Sequence, residues 1–386
     1  MAAYFDHNAT TPLLPEARAA WLRAVDGFWQ NPSSLYREAG LASQALEAAR
    51  ERLADLLGVE EPERVVFTSG ASEANNTLFA GLARCLPPDG CIAISAIEHP
   101  SVRAAALAWL GRARVMEIPV DATGRVQPEV VKKVISEHQP ALISVMTASN
   151  ESGVLQPWQE LAALCRTQGV RFHTDAAQWL GKMPATGLAN CDYVTGSGHK
   201  FGGPKGVGFL LLAHAQESFP LIHGGPQEQG RRAGTEDFAG IEAMVTALEV
   251  RAGQLQQSAQ AQTPLRDAFI STMQAAFPGL RVISGDAPRL WNTVLMVMPA
   301  HSNLKWLTRL SRLGFAISTG SACSSGREGS SVIVRALGTD EEELRRVVRI
   351  SAGHETTAAD WQALAAAFAE VGRGLENEAR AASWQA

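Results

Sequence analysis

Val170-Arg171-Phe172-His173-Thr174-Asp175-Ala176-Ala177-Gln178 and Asp192-Tyr193-Val194-Thr195-Gly196-Ser197-Gly198-His199-Lys200 share a pattern: a short apolar run, then polar residues where the run stops. Each run has the length of a strand. The same pattern recurs at Arg64 to Phe67, Cys91 to Ser95, Arg114 to Ile118, Ala141 to Met146 and Val207 to Leu212, with helical sequence between most of them. Such alternation predicts an α/β fold built on a mostly parallel seven-stranded sheet, covered by helices on both faces. Reactive side chains then belong outside the carboxyl ends of the strands. Asp175 and Lys200 are delivered to that rim by two strand ends.

The rest of the chain reads differently. Leu46, Ala49, Leu53 and Leu56 repeat at helical spacing before a stop at Gly58. Polar, glutamine-rich sequence from Gly253 to Thr263 carries a long helix away from the first core. Beyond it, Arg281 to Ser284, Asn292 to Met298 and Arg345 to Ser351 read as strands. Thr357 to Trp384 reads as a closing helix with Trp361, Leu364, Phe368, Val371 and Leu375 on one stripe. Thr357 and Asp360 form a capping signal at its start. The expected organisation is a large domain over 13–255 and a smaller α+β domain over 256–386, completed by residues 1–12.

Of 386 residues, 46% are hydrophobic and 19% charged, so a full core is within reach. A net charge of -5, with no basic run, gives no nucleic-acid surface. The longest apolar stretch, Val207 to Ala213, is too short to span a bilayer. Five widely spaced cysteines without a CxxC exclude a disulfide framework and a structural zinc site. The start of the chain carries no signal-peptide pattern, and the expected compartment is the cytoplasm.

Chemistry is concentrated in a few segments. A lysine that can hold an aldehyde and a carboxylate that can keep a pyridine nitrogen protonated are the two groups pyridoxal phosphate (PLP) requires; Lys200 and Asp175 are the candidates for them, and the bland reading of either alone is a solvated surface charge. Thr68-Ser69-Gly70-Ala71-Ser72-Glu73-Ala74-Asn75 links a strand to a helix start, which is a phosphate seat or an ordinary turn. His99, after the strand ending at Ser95, can stack on a flat ring and exchange protons, or be a buried hydrogen-bonded histidine. Asn150 sits at another polar strand end, and Gln178 lies close enough to Asp175 to reach the same ligand. Arg349 on the Val347-Val348 strand can clamp a carboxylate, or be a surface arginine. Cys323 stands in the small-residue loop Ser318-Thr319-Gly320-Ser321-Ala322-Cys323-Ser324-Ser325-Gly326, which suits a thiol that travels to a substrate. Its bland reading is a surface cysteine.

In their order these motifs resemble the cysteine desulfurases of the NifS/IscS-like group, PLP enzymes of the class V aminotransferase family. Asp6-His7-Asn8-Ala9-Thr10-Thr11-Pro12, Asn31-Pro32-Ser33-Ser34, Glu98-His99-Pro100, Asn150-Glu151-Ser152-Gly153, Arg232-Ala233-Gly234-Thr235 and Arg335-Ala336-Leu337-Gly338 extend the resemblance over nearly the whole length. It implies the PLP-dependent transferase fold type I and a homodimer. Lys200 would be the Schiff-base lysine and base, Asp175 the partner of the ring nitrogen, Gln178 that of the ring hydroxyl, and His99 the ring-stacking residue. Ala71, Ser72, Ser197 and His199 would hold the phosphate, with Thr235 from a second subunit. Asn150 and Arg349 would hold the substrate carboxylate. Cys323 would take sulfur from L-cysteine, leaving alanine and a persulfide for a sulfur-acceptor protein, an iron–sulfur scaffold or sulfur carrier. Three departures stand out: Tyr36 where a histidine is common, Ser330-Ser331 in a stretch that often holds a proline, and His354 after the arginine strand. A selenocysteine lyase or aminotransferase of the same fold, or a silent scaffold, are the competing readings.

Overall fold

The computed structural model describes residues 3–320, 332–338 and 340–383. Cys323 and its neighbours Ser321 to Gly326 lie outside the described residues.

The strands are β1 (Ala3–Tyr4), β2 (Val65–Thr68), β3 (Ile92–Ser95), β4 (Val115–Ile118), β5 (Leu142–Ser144), β6 (Arg171–Asp175), β7 (Tyr193–Ser197), β8 (Gly208–Leu211), β9 (Arg281–Val282), β10 (Thr293–Val297), β11 (Phe315–Ala316) and β12 (Val347–Ser351). Seven of them form one sheet in the order β2-β8-β7-β6-β5-β3-β4. Its ladders are parallel from β7 to β4, while β8 runs antiparallel to both β2 and β7. Helices α1 (Pro15–Gly27), α2 (Arg37–Leu57), α3 (Ala71–Cys85), α4 (Pro100–Leu110), α5 (Pro128–His138), α6 (Trp158–Thr167) and α7 (Phe238–Ala276) cover it.

Both faces are dry. Ala93, Ile143, Val194 and Phe209 enter one apolar cluster, and their neighbours Ile92, Leu142, Tyr193 and Leu210 enter another on the opposite side. A strand buried on both faces needs no polar alternation, which is why these runs read as continuously apolar.

A second layer holds β10 between β12 and β9, all antiparallel, with β1 and β11 paired in parallel beside it. Helices α8 (Asn303–Arg312), α9 (Val332–Ala336), α10 (Glu341–Leu344) and α11 (Ala358–Ser383) belong here. The stripe Trp361, Leu364, Phe368, Val371 and Leu375 packs into this layer's core with Phe5 and Trp306. Thr357 and Asp360 cap α11 reciprocally, at 2.8 and 3.2 Å. The strand expected from Arg345 begins at Val347, because Asp340 caps a short acidic helix first. The 39-residue α7 joins the layers: Ile241 to Leu248 pack on the large sheet, and Phe269 and Met273 on the small one.

Candidate active site

At the carboxyl ends of β5, β6 and β7 lies a cavity of about 500 Å³. Ala71, Ser72, His99, Asn150, Asp175, Gln178, Ser197, His199 and Lys200 all line it, so residues spread over much of the sequence meet there. Asp175 ends β6, Ser197 ends β7, and Lys200 follows in one 3-10 turn.

Asp175 is 6% exposed and tightly held. Its Oδ1 accepts from the Ala177 N–H at 2.9 Å and its Oδ2 from Asn75 Nδ2 at 3.3 Å. A carboxylate only accepts, so Asn75 must present its NH2 end to it. That leaves Asn75 Oδ1 to accept from the Thr195 hydroxyl at 2.9 Å. Thr195 must then receive from His173 Nε2, 3.5 Å away. His173 is fully buried, and burial pushes its pKa down to about 3, so it is neutral. Its bare Nδ1 therefore accepts from Ser144 Oγ at 2.8 Å. The other N–H of Asn75 goes to Ser101 Oγ at 2.9 Å, freeing the Ser101 hydroxyl to donate to His99 Nδ1 at 2.8 Å.

His99 is also the N-cap of α4, accepting from the Ser101 N–H. Both contacts fall on Nδ1, so the proton of the neutral ring sits on Nε2. Burial first, and then the Lys200 charge, lower its pKa, while Asp175 works the other way. Polar order thus radiates from Asp175 and fixes the tautomer of His99.

At the other end of the cavity, Gly70 precedes α3 with φ 148°, a backbone that favours glycine. A side chain on Gly208 would meet Gly70 Cα at 2.6 Å, so the two chains touch here. The first turn of α3 offers its N–H groups to the cavity beside Ser72, Ser197 and His199. Glu73 in that turn would repel an anion, but its carboxylate is bound to Arg232 at 3.0 Å and to the Ser69 N–H at 2.8 Å. Burial, Lys200 and Lys205 push His199 down to about 4. The donor set fits a phosphate at one end and a pyridine nitrogen at Asp175, with the Lys200 amine on the same wall. Lys200 Nζ donates to the carbonyls of Asn8 at 2.7 Å and Ala9 at 2.8 Å.

Two expected residues lie off the cavity wall. Arg349 is 2% exposed rather than a surface arginine. It pairs with Asp6 at 2.6 Å and donates to the Asn150 carbonyl at 3.0 Å, which brings the two expected carboxylate ligands together. Thr235 is exposed on an irregular segment and does not line the cavity within one chain. That segment is anchored by a buried pair, Arg50 with Glu228 at 2.8 Å, in which Glu228 also accepts from the Phe67 N–H.

Asn75 and Glu98 stand in motifs legible in the sequence but carry no role there, and Lys182 has no signal at all. The fold buries Asn75 completely on α3 beside Ala74 and Leu78, and a buried amide demands partners. Glu98 is 2% exposed, accepts from Ser95 Oγ and the Met146 N–H on one oxygen, and is pushed up to about 8 by burial.

The sequence matches the family described as Aminotransferase class-V over residues 3–364. It is 37% identical over 374 residues to a cysteine desulfurase of Rhodobacter capsulatus, covering 96% of each chain. The fold matches a NifS-like protein of Rickettsia africae with a TM-score of 0.86 at 28% identity, over 96% of this chain and 99% of that one. A structure described as SspA in complex with cysteine matches with a TM-score of 0.77 at 32% identity, over 90% of this chain and 98% of that one.

Proposed function

We infer that this chain, which belongs to the aminotransferase class-V family, is a PLP-dependent cysteine desulfurase converting L-cysteine to L-alanine. The observation that carries the reading is the meeting of Lys200, Asp175 and the N-terminus of α3 in one cavity. When bound, PLP supplies an electron sink for the carbon atoms of an amino acid. Lys200 would hold it through its amine, Asp175 through the ring nitrogen, Gln178 through the ring hydroxyl, and Ala71, Ser72, Ser197 and His199 through the phosphate.

The chain's own residues then have these tasks. Asp175, held by Ala177 and Asn75, places its carboxyl group at a fixed point in a mostly dry wall. Neutral His99 offers an N–H at Nε2 to the cavity. Lys200 is the base that moves the Cα proton. Asn150 on the cavity wall would orient the substrate carboxylate, with Arg349 behind it, where it would have to share its charge between Asp6 and the substrate. Cys323, as thiolate, attacks the sulfur of L-cysteine. A sulfur–sulfur bond forms, the substrate's carbon–sulfur bond breaks, and the carbon receives a proton. The balance is a protein thiol plus L-cysteine giving a protein persulfide plus L-alanine, with no external oxidant. Cys165 and Cys191 are buried with thiol pKa values pushed up, Cys165 to about 12, so they are poor nucleophiles.

The persulfide sulfur passes to an acceptor protein for iron–sulfur assembly or another sulfur transfer. The chain works as a homodimer, with Thr235 completing the partner's phosphate seat. Support for the dimer comes from an exposed apolar band at α1 and beyond, Trp21, Val25, Trp29 at 74% and fully exposed Leu35. The chain divides at 255/256, supported by separate apolar cores. A cytoplasmic setting is supported by four cysteines without disulfides among the described residues, and no described helix is long and apolar enough to cross a membrane.

The test is borohydride reduction of the protein incubated with PLP, followed by peptide mapping. The label is expected on Lys200 alone; a label elsewhere, or none, overturns the reading.

A further inference from the structure

Lys200 lines two cavities. Besides the active site, it borders a space of about 430 Å³ also lined by His7, Lys182, Arg251 and His354. Lys182 is 4% exposed, and the charged groups acting on it, Lys200, Arg251 and Arg349, are all cationic. A buried ammonium among cations is costly and calls for a local reason. Its Nζ donates to Gln178 Oε1 at 2.9 Å and to the Gln178 carbonyl at 3.3 Å. At the other end of that amide, Gln178 Nε2 donates to the Asn8 carbonyl at 2.9 Å. The same carbonyl accepts from Lys200 Nζ at 2.7 Å.

An ammonium has donors only, so it tolerates just the oxygen end of an amide. We propose that Lys182 is a positioning residue: it locks the Gln178 amide with its N–H end toward the cofactor cavity and, through the shared Asn8 carbonyl, ties that amide to Lys200. This rests on the reading of the cavity as a PLP site.

The lock is titratable. Burial first, then Lys200, Arg251 and Arg349, push Lys182 down to about 7. A neutral amine carries a lone pair and accepts an N–H, so above that pH the amide is free to turn. The groups facing Lys182 come from several elements. Lys200 follows β7, Arg251 lies on α7 and is paired with Glu355 at 2.8 Å, and Arg349 lies on β12. His7 and His354 are kept neutral by burial.

The experiment compares wild type, Lys182→Met, Lys182→Arg and each Lys182 variant in a Gln178→Leu background. The readouts are the PLP dissociation constant and the absorption spectrum of bound PLP from about pH 6 to about pH 9. Losing one charge-assisted hydrogen bond weakens PLP binding about tenfold in Lys182→Met. Little further loss is expected once Gln178 is leucine. Lys182→Arg keeps the donor lock, so it restores affinity and abolishes the spectral change near 7 that Lys182 causes, because arginine does not titrate here. Wild type is expected to show a spectral change with a midpoint near 7. Unchanged PLP binding in Lys182→Met, or an equal loss in both backgrounds, overturns the proposal. Should Lys182→Met not fold, a wild-type spectrum flat over this range overturns it. Failure of wild type itself to bind PLP sinks the site reading instead.

Discussion

Asn75→Ala tests the polar order around Asp175. Asn75 is fully buried and makes three side-chain bonds: to Asp175 at 3.3 Å, to Ser101 at 2.9 Å and from Thr195 at 2.9 Å. Each neutral bond is worth about 1 kcal/mol, and the long charge-assisted one about 1.5 kcal/mol, the low end of its range. The apoprotein should therefore lose about 3.5 kcal/mol, with no bulk water near the orphaned Thr195 hydroxyl to recover it. Only the bond to Asp175 bears on the ring nitrogen, so PLP binding should weaken by about tenfold, the factor that about 1.4 kcal/mol represents. Urea unfolding of the apoprotein measures the first quantity and absorbance titration with PLP the second. Asn75→Ala that loses less than about 1 kcal/mol and binds PLP as wild type does would refute the directional network.

Other expectations follow from the buried charges. Glu98 stays protonated in the folded protein up to about 8, while the unfolded chain releases that proton near 4.5. The folded state thus binds the extra proton across this window, and stability falls as pH rises through it. Glu98→Gln should flatten that slope in urea unfolding; parallel pH curves for the two proteins would contradict it. His173 acts in the opposite direction: its folded pKa is about 3 against 6.5, so its contribution is lost as pH falls below 6.5, and a slope between about pH 6.5 and about pH 4.5 that is the same in His173→Asn argues against it. Glu228→Ala removes two charge-assisted bonds from Arg50, which keeps Glu47 and the Val65 carbonyl, and should cost roughly 3 kcal/mol by denaturant unfolding. A loss below about 1 kcal/mol would mean the pair is not needed to anchor the segment bearing Thr235.

Much of this was legible in the chain because strand ends obey a simple rule. A parallel sheet puts its reactive side chains at carboxyl ends, so the step from Phe172 to Asp175 and from Thr195 to Lys200 marked the rim. Helix caps at Thr357 and the stripe from Trp361 to Leu375 are local signals and were readable for the same reason. What escaped depends on distant contacts. Nothing near Arg349 in sequence announces Asp6, because the pairing requires the N-terminal segment to lie across β12. Glu98 stands in the sequence only as the first residue of the Glu98-His99-Pro100 motif; the fold brings the Met146 N–H from β5's end onto the oxygen that Ser95 already holds. Lys182 likewise gains its meaning from Gln178, Arg251 and the second cavity. The expected nucleophile Cys323 lies outside the described residues, so its role rests on the sequence and the family.

The decisive measurement is L-alanine formed from L-cysteine by the PLP-loaded protein under reductant, for wild type and for Cys323→Ala. Wild type should release alanine and sulfide over many turnovers, while Cys323→Ala keeps the bound cofactor and makes neither. Wild type that forms no alanine, or Cys323→Ala that forms it at an unchanged rate, would contradict the account.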